Sequence, residues 1–436
     1  MQLTVIGAGY LGLTHAVCMA DLGHSVLALD IDPDKITRAA RGEVPFYEPE
    51  LEALLRKNLA AGRLQFTSSY RDAAKFSDVH FLCVGTPATS DGTFDLSQIN
   101  AAADALAPYL RGRILVIGRS TVPMGTGRRL GDRIRNRAPS TAEIEIAWNP
   151  EFLREGQAVQ DCLLPDRFVF GVSSDWSAAT LREIYAKPLA RGVPVITTGL
   201  ETAELVKVAA NAFLATKLSF INAIAEVCEE AGADVIRVVD AFACDQRIGG
   251  RFLMPGIGYG GGCLPKDVRG FKAVAEHLGI KNLAAILGAV DAINLRCRSR
   301  VVDLTRSVVG GSLAGHAVAV LGVAFKPGSD DVRDSASLDV CRQLVLEGAT
   351  VAVHDPEAME NAARLWPDLR YAASPMDAAR GTDAMLHLTD WEEYRLLDPQ
   401  RLGAVVARRN IIDGRSVLDA RLWESAGWSF HGLGRR

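Results

Sequence analysis

The run Gly258-Tyr259-Gly260-Gly261-Gly262-Cys263-Leu264-Pro265-Lys266-Asp267 holds the residues best suited to covalent chemistry. Three consecutive glycines before Cys263 remove every β-carbon, so backbone there can run directly against a ligand. Pro265 sits where a first helical turn would begin, a place where its missing N–H costs nothing. A cysteine at a helix start feels the positive end of the helix dipole, and Lys266 adds a cation. Both favour the thiolate and so nucleophilicity. Asp267, four residues on, returns to the cysteine's side of the helix and can handle a proton or a water. Most free cysteines are buried structural residues. Here the glycines and charged neighbours argue against a packed core and favour a nucleophile.

A second pair of polar residues lies in an otherwise apolar stretch. Residues 201–232 read as one long helix, free of proline, rich in Ala and Leu, with acids in its first turn. Its apolar residues spread around most of the cylinder, so it is covered on several sides. Lys207 and Asn211 are four apart and project from one face, as in a lined cavity. Taken alone, a lysine reaching for solvent and a satisfied core amide explain them better.

The elements that must position these groups follow a βα alternation. Leu3–Ile6 reads as a strand, then Gly7-Ala8-Gly9-Tyr10-Leu11-Gly12, a helix to about Leu22, and a strand Ser25–Leu29 ending at Asp30. A G-x-G-x-x-G is weak evidence alone and strong evidence inside such a βαβ unit. Gly7 allows the tight turn, Gly9 lets backbone approach a pyrophosphate, and Gly12 permits close helix–strand packing. The helix N-terminus then faces the phosphates. Asp30 is placed to accept hydrogen bonds from a ribose diol and would repel a 2′-phosphate, so NAD is expected rather than NADP.

Further strands are expected at residues 79–84, 114–117, 144–147 and 167–172. Gly85-Thr86-Pro87, Ser120-Thr121-Val122-Pro123 and Asn149-Pro150-Glu151 occupy carboxyl ends of these strands, where ligands bind in an open parallel sheet. After the glycine-rich run, residues 267–278 and 283–309 read as helices. From His316 the alternation resumes with strands at 317–321, 351–354, 384–388 and 410–413 and a helix near 337–347. Asp355-Pro356 echoes Asp32-Pro33, yet the first loop of this half presents Phe325 and Lys326 instead of the glycine fingerprint, so its ligand should differ. Arg415, after the last of these strands, offers a planar donor fork for phosphate or sugar oxygens, or is an ordinary surface arginine.

The fold class implied is α/β: two Rossmann-like doubly wound domains joined by a long central helix and a helical segment. The expected boundaries are 1–200 for the NAD-binding domain, 201–310 for the helical segment with the cysteine loop, and 311–436 for the C-terminal domain. Long apolar helices joining two domains often form a dimer seam, so at least a homodimer is expected.

Composition bounds the function. At 436 residues the chain should form two or three domains, and 48% hydrophobic with 23% charged residues fits a globular protein with an ample core. A net charge of −4 provides no general basic field, so nucleic acid is not an expected partner. The eight cysteines are scattered without C-x-x-C spacing, which suits a reducing cytoplasm and argues against disulfides or a zinc site. Met1 leads straight into a strand, leaving no room for a signal peptide. No apolar run approaches the ~20 residues that a membrane helix needs.

With these segments in order, the sequence resembles the UDP-glucose/GDP-mannose dehydrogenase family along essentially its whole length. The signatures are Gly-Ala-Gly-Tyr-Leu-Gly-Leu, Gly-Thr-Pro, Arg-Ser-Thr-Val-Pro, Asn-Pro-Glu-Phe-Leu-Arg-Glu-Gly, Lys-Val-Ala-Ala-Asn, the cysteine loop itself, Phe-Lys-Pro and Asp-Gly-Arg. Eight matches in order are far more specific than any one. The family loop more often has Ser before the cysteine and Phe after it, where this chain has Gly262 and Leu264.

The resemblance implies oxidation of the C6 hydroxyl of a nucleotide sugar to a carboxylate with two NAD per turnover. Cys263 is then the nucleophile, passing through a thiohemiacetal and a thioester, with Lys207, Asn211 and Asp267 around it. Glu151 and Thr121 match residues that manage proton transfer and the catalytic water. Gly7, Gly9, Tyr10, Leu11, Gly12, Asp30, Lys35, Thr86, Thr121, Glu155, Lys266 and Arg333 match the NAD site. Phe152, Leu153, Lys207, Asn211, Arg247, Tyr259, Gly260, Phe325, Lys326 and Arg415 match substrate contacts, with Arg247 reaching a neighbouring subunit's site.

Similarity around residues 245–249 and 390–394 leans toward UDP-glucose as substrate and UDP-glucuronate as product. GDP-mannose and UDP-N-acetylhexosamines are the nearest alternatives. A two-electron β-hydroxyacid-type dehydrogenase also joins a Rossmann domain to a helix with Lys and Asn four apart, but needs neither Cys263 nor the C-terminal domain. A silent nucleotide-binding protein would have no use for Cys263, Lys207, Asn211 and Asp267 together.

Overall fold

The structure is a computed structural model that describes residues 1–435, and the chain divides into two compact units, 1–210 and 211–436. The first is built on eight strands: β1 (Gln2–Ile6), β2 (Ser25–Leu29), β3 (Leu64–Thr67), β4 (Val79–Leu82), β5 (Gly112–Gly118), β6 (Ala142–Trp148), β7 (Phe168–Gly171) and β8 (Val195–Thr198). Their order is β3-β2-β1-β4-β5-β6-β7-β8. β1 pairs in parallel with β2 on one side and β4 on the other, so the order reverses there and a crevice opens at the strand ends. The pair β6–β7 is antiparallel.

The central strands are buried on both faces, which explains why they read as continuous apolar runs. Leu3, Val5, Phe81 and Leu115 pack into one apolar cluster, and Ile6, Leu82, Ile114 and Val116 into another. Each such side chain contributes roughly 1.5–3 kcal/mol on leaving water. β3 and β8 escaped the sequence reading because they are short and only partly buried, so neither shows a clean apolar pattern.

The second sheet has six strands: β9 (Ala317–Leu321), β10 (Thr350–His354), β11 (Arg370–Tyr371), β12 (Ala384–His387), β13 (Asn410–Asp413) and β14 (Ser429–Gly432), all parallel in the order β11-β10-β9-β12-β13-β14. It repeats the reversal about its first strand. In the same unit, helix Leu264–His277 lies against helix Lys281–Val309.

Helix Leu200–Ala231 begins in the first unit and ends in the second. Contrary to the sequence expectation, it is long and apolar enough to cross a membrane by length and composition, with a mean hydropathy of 1.4 over its most apolar stretch. The expectation looked for an unbroken apolar run. Alanine, glycine-free spacing and isolated polar residues instead give a helix that is apolar on average, and 44% of that stretch is buried inside the fold.

Candidate active site

In the first unit, two of the three fingerprint glycines, Gly7 and Gly12, are required by the backbone. Gly7 has φ +96°, and a β-carbon on Gly12 would lie 1.7 Å from the Gly7 carbonyl oxygen. A β-carbon on Gly9 would meet nothing within 4 Å. Helix Tyr10–Asp21 starts there with no side-chain cap, leaving first-turn N–H groups for an anion. These features fit a dinucleotide's pyrophosphate. Asp30 is buried at the end of β2 and accepts from the N–H groups of Ala8 (2.7 Å) and Asp32 (3.0 Å). It thus holds the glycine turn in place, with one bond to each carboxylate oxygen. Lys35 stands one turn beyond, 3.9 Å from Asp32.

Tyr10 donates a hydrogen bond to buried Glu48, whose carboxylate also accepts from the N–H groups of Gly156 (2.6 Å) and Ala158 (2.7 Å). Burial and that carboxylate raise the Tyr10 pKa. Glu48 therefore fastens the start of the fingerprint helix to the segment carrying Glu151, Phe152, Leu153 and Glu155. The sequence reading missed it, since nothing local marks a partner about 110 residues away.

At the strand ends, the Thr86 hydroxyl donates to the Thr121 carbonyl at 2.7 Å, tying the two loops together. Buried Arg119 donates to Asn149 (2.7 Å) and the Tyr185 hydroxyl (2.9 Å). Lys207 is buried and ion-paired to Glu151 at 2.9 Å, so it does not reach for solvent as the residues alone suggested. The other Glu151 oxygen accepts from the Leu153 N–H at 2.6 Å. The Phe152 ring lies under the Arg167 guanidinium (4.0 Å) and within 5.6 Å of the Lys207 ammonium.

Glu204, one turn before Lys207, reaches from its helix to the N–H groups of Gly125 and Gly127, each at 2.5 Å. It supplies the cap that helix Thr126–Arg135 lacks in its own sequence. Burial pushes its pKa up to about 7 against the pull of those two donors.

In the second unit, Cys263 is exposed and stands at the N-cap of helix Leu264–His277, with Pro265 in the first turn. The helix begins three residues earlier than the sequence suggested. Six of the other seven thiols are buried, and burial pushes Cys83 and Cys341 up to about 12 and Cys297 to about 11. Asp267 is buried and receives two donors, the Asn211 amide at 2.6 Å and the Lys266 ammonium at 2.7 Å. Asn211 is thus a satisfied core amide, and the carboxylate it satisfies lies one turn from the thiol.

The glycines before Cys263 serve the chain itself, a purpose the sequence reading gave to a ligand. A β-carbon on Gly260 would lie 2.3 Å from the Asp334 carbonyl, on Gly261 2.7 Å from the Phe325 ring, and on Gly262 2.6 Å from the Arg333 guanidinium. The residues expected around NAD and the sugar, Phe325 and Arg333, thus lie directly on the cysteine loop, with Lys326 5.6 Å from the Phe325 ring. Tyr259 is buried, and its hydroxyl is enclosed.

Arg415 spends its fork on backbone, donating to the carbonyls of Leu388 (2.6 Å), Gly258 (3.1 Å) and Phe325 (3.4 Å). Burial lowers its pKa to about 10. It is neither a surface arginine nor a fork open to a ligand in full. Its loop is held by Asp413, which accepts from four backbone N–H groups and from His387 at 3.0 Å. Arg247 is 89% exposed, far from burial in any pocket, and pairs with Asp245 at 2.6 Å.

Comparison with known proteins agrees along the whole length. Residues 1–189 match the NAD binding domain of the UDP-glucose/GDP-mannose dehydrogenase family, 201–296 its central domain, and 319–420 its UDP binding domain. The chain is 41% identical over 439 residues to a UDP-glucose 6-dehydrogenase of Rhizobium meliloti (strain 1021), covering all of both proteins. It is 39% identical over 435 residues to the UDP-glucose 6-dehydrogenase TuaD of Bacillus subtilis (strain 168), covering all of this chain and 93% of that one. A solved UDP-glucose dehydrogenase from Pyrobaculum islandicum superposes with a TM-score of 0.92 at 38% identity, covering 100% of this chain and 98% of the other. With its nucleotide-binding crevice, buried Lys–Glu pair and exposed thiol at a helix start, this chain belongs to the UDP-glucose/GDP-mannose dehydrogenase family, and is an NAD-dependent oxidoreductase with a UDP-sugar substrate.

Proposed function

We propose that this protein oxidises the C6 hydroxyl of UDP-glucose by four electrons, releasing UDP-glucuronate, with Cys263 holding the half-oxidised sugar. The observation that carries the reading is the exposed thiol at a helix N-terminus, one turn from a carboxylate clasped by Asn211 and Lys266. The likeness to relatives named for UDP-glucose supports the choice of sugar.

NAD, when bound, accepts a hydride in each of two oxidations. As the alcohol loses its first hydride, Glu151 takes the hydroxyl proton, with Thr121 beside the same strand ends. Lys207 and the Asn211 N–H not given to Asp267 are fixed donors for the oxygen anions that develop, and losing one such donor typically costs ~3 kcal/mol. The Cys263 thiolate then adds to the aldehyde carbon, and the former carbonyl oxygen takes a proton. Loss of the second hydride and that proton leaves a thioester. Water attacks its carbonyl carbon, Asp267 or Glu151 takes the water's proton, and the C–S bond breaks to return the thiolate. The sugar loses four electrons and gains one oxygen from water. Lys326 supplies a cation for the diphosphate in a mildly acidic chain, while Arg415 holds the carbonyls of the loops around it.

The same reading includes a homodimer. Phe213, Phe220 and Val227 recur every seven residues on helix Leu200–Ala231 and are 64%, 50% and 60% exposed. A stripe of that spacing fits a helix of a second copy. Exposed Arg247 is then available to the neighbouring subunit's site.

Counting NADH formed per sugar consumed across a panel of UDP- and GDP-sugars tests the proposal. Two NADH per UDP-glucose, with kcat/KM at least about tenfold above the other sugars, is expected. One NADH per sugar would overturn the covalent route, and preference for another sugar would overturn the substrate.

A further inference from the structure

The segment leading into Cys263 owes its shape to a helix that carries none of the expected site residues. Asn294, fully buried on helix Lys281–Val309, makes both hydrogen bonds that a strand partner would make with Tyr259. It donates to the Tyr259 carbonyl at 3.0 Å and accepts from the Tyr259 N–H at 2.7 Å. Arg298, one turn on and also buried, donates to the same carbonyl at 3.4 Å and to Asp334 at 2.9 Å. Asn222 accepts from the Gly256 N–H at 2.8 Å, and the Gly261 N–H bonds the Arg333 carbonyl at 2.9 Å. Buried backbone that belongs to no sheet must be satisfied in this way. Gly258 is cut to the same contact. Its φ is +90°, and a β-carbon there would lie 2.3 Å from the Asn294 side-chain oxygen.

We propose that Asn294 is a positioning residue for the thiol: its two bonds to Tyr259 fix the register of the turn and so the direction in which Cys263 leaves it. Asn294 acts through the backbone of Tyr259. Its action is through five residues of chain, 259–263, that contain three glycines and have little stiffness of their own. Without the clamp the turn can rotate about those glycines while the helix beyond stays folded. A displacement of about 1 Å at a reacting atom is enough to cost ~100-fold in rate. The steps that use sulfur should suffer most. The first oxidation and the binding of the sugar do not need the thiol in place.

This inference rests on Cys263 as the nucleophile, and the experiment separates the two. Asn294→Ala, Gly258→Ala, their double variant and Cys263→Ala are compared with the parent protein for kcat, KM for UDP-glucose, NADH per sugar, and free aldehyde captured by semicarbazide. Asn294→Ala and Gly258→Ala should each lower kcat at least about tenfold, leave KM within about threefold, and release trappable aldehyde that the parent does not. Because both act on one contact, the double variant should be no slower than the product of the singles requires, and close to Gly258→Ala alone. If Asn294→Ala does not fold, Gly258→Ala, which presses on the same amide from the loop side, carries the test. The proposal is overturned if these variants keep parental kcat and two NADH per sugar with no aldehyde. It is equally overturned if the loss of activity only tracks the loss of folded protein. Full-rate formation of two NADH by Cys263→Ala would remove the nucleophile itself, whereas a stalled Cys263→Ala beside unimpaired Asn294 and Gly258 variants would remove this inference alone.

Discussion

At the scale of single residues, the buried pair Lys207–Glu151 separates chemistry from stability most sharply. At 2.9 Å and almost out of solvent, each charge depends on the other. Lys207→Met should lower kcat by about 10²–10³ through the lost donor. It should also destabilise the protein by about 3 kcal/mol, because a buried carboxylate is left unpaired. Adding Glu151→Gln should restore most of the melting temperature without restoring turnover. A double variant as unstable as the single would show that the pair is not the source of the loss. The types and spacing of Lys207 and Asn211 were plain in the sequence, but not their surroundings. Asn211 proved to be satisfied and Lys207 proved not to reach water, because the partners that decide this, Glu151 and Asp267, lie 56 residues away in each direction. Arg415 shows the same limit, since a donor fork looks alike whether it will meet phosphate or three carbonyls.

At the scale of elements, helix Leu200–Ala231 does more than carry two polar side chains. Through Glu204 it caps helix Thr126–Arg135, which follows the Thr121 loop, so the Lys207 helix is tied to that loop. The charge has a signature in pH. The Glu204 pKa is raised by folding, from near 4.3 to about 7, so the folded state binds the extra proton between those values. Stability should therefore fall as pH rises from about 4.3 to 7 and level off above. The first melting transition should drop between pH 5 and pH 8 by about 2 °C more in the parent than in Glu204→Gln. Equal slopes would mean that the two backbone donors keep Glu204 ionised throughout. The βαβ units were legible because apolar periodicity and glycine turns are local signals. Glu48, Glu204, Arg119 and Asn294 were not, since each acts on backbone or side chains brought near only by folding. The glycine-rich loop was legible as a loop with a purpose, yet its glycines make room for Asp334, Phe325 and Arg333.

At the scale of the molecule, two sheets of the same handed order carry different loops at the same place after their first strands. One loop is a glycine turn at an uncapped helix, fit for a pyrophosphate. The other is Phe325-Lys326, with the ammonium 5.6 Å from the ring and the ring against the cysteine loop. Their likeness in topology and difference in sequence made it legible that the second loop's ligand should differ, and only the family resemblance named a nucleotide sugar. The seven-residue stripe on the long helix belongs to this scale too. Phe220→Glu should convert the proposed homodimer to monomers in sedimentation velocity, with a loss of activity that Arg247→Ala reproduces without dissociation. A dimer unchanged by Phe220→Glu would place the seam elsewhere.

In the proposed mechanism the sugar is held on sulfur between two oxidations. Acid-quenching the enzyme during turnover of UDP-glucose and weighing the intact chain tests it most directly. The parent protein should gain the mass of the oxidised nucleotide sugar, mapped to Cys263, and Cys263→Ala should gain nothing and stop after one NADH per site. A parent chain of unchanged mass, with Cys263→Ala still forming two NADH per sugar, would contradict it.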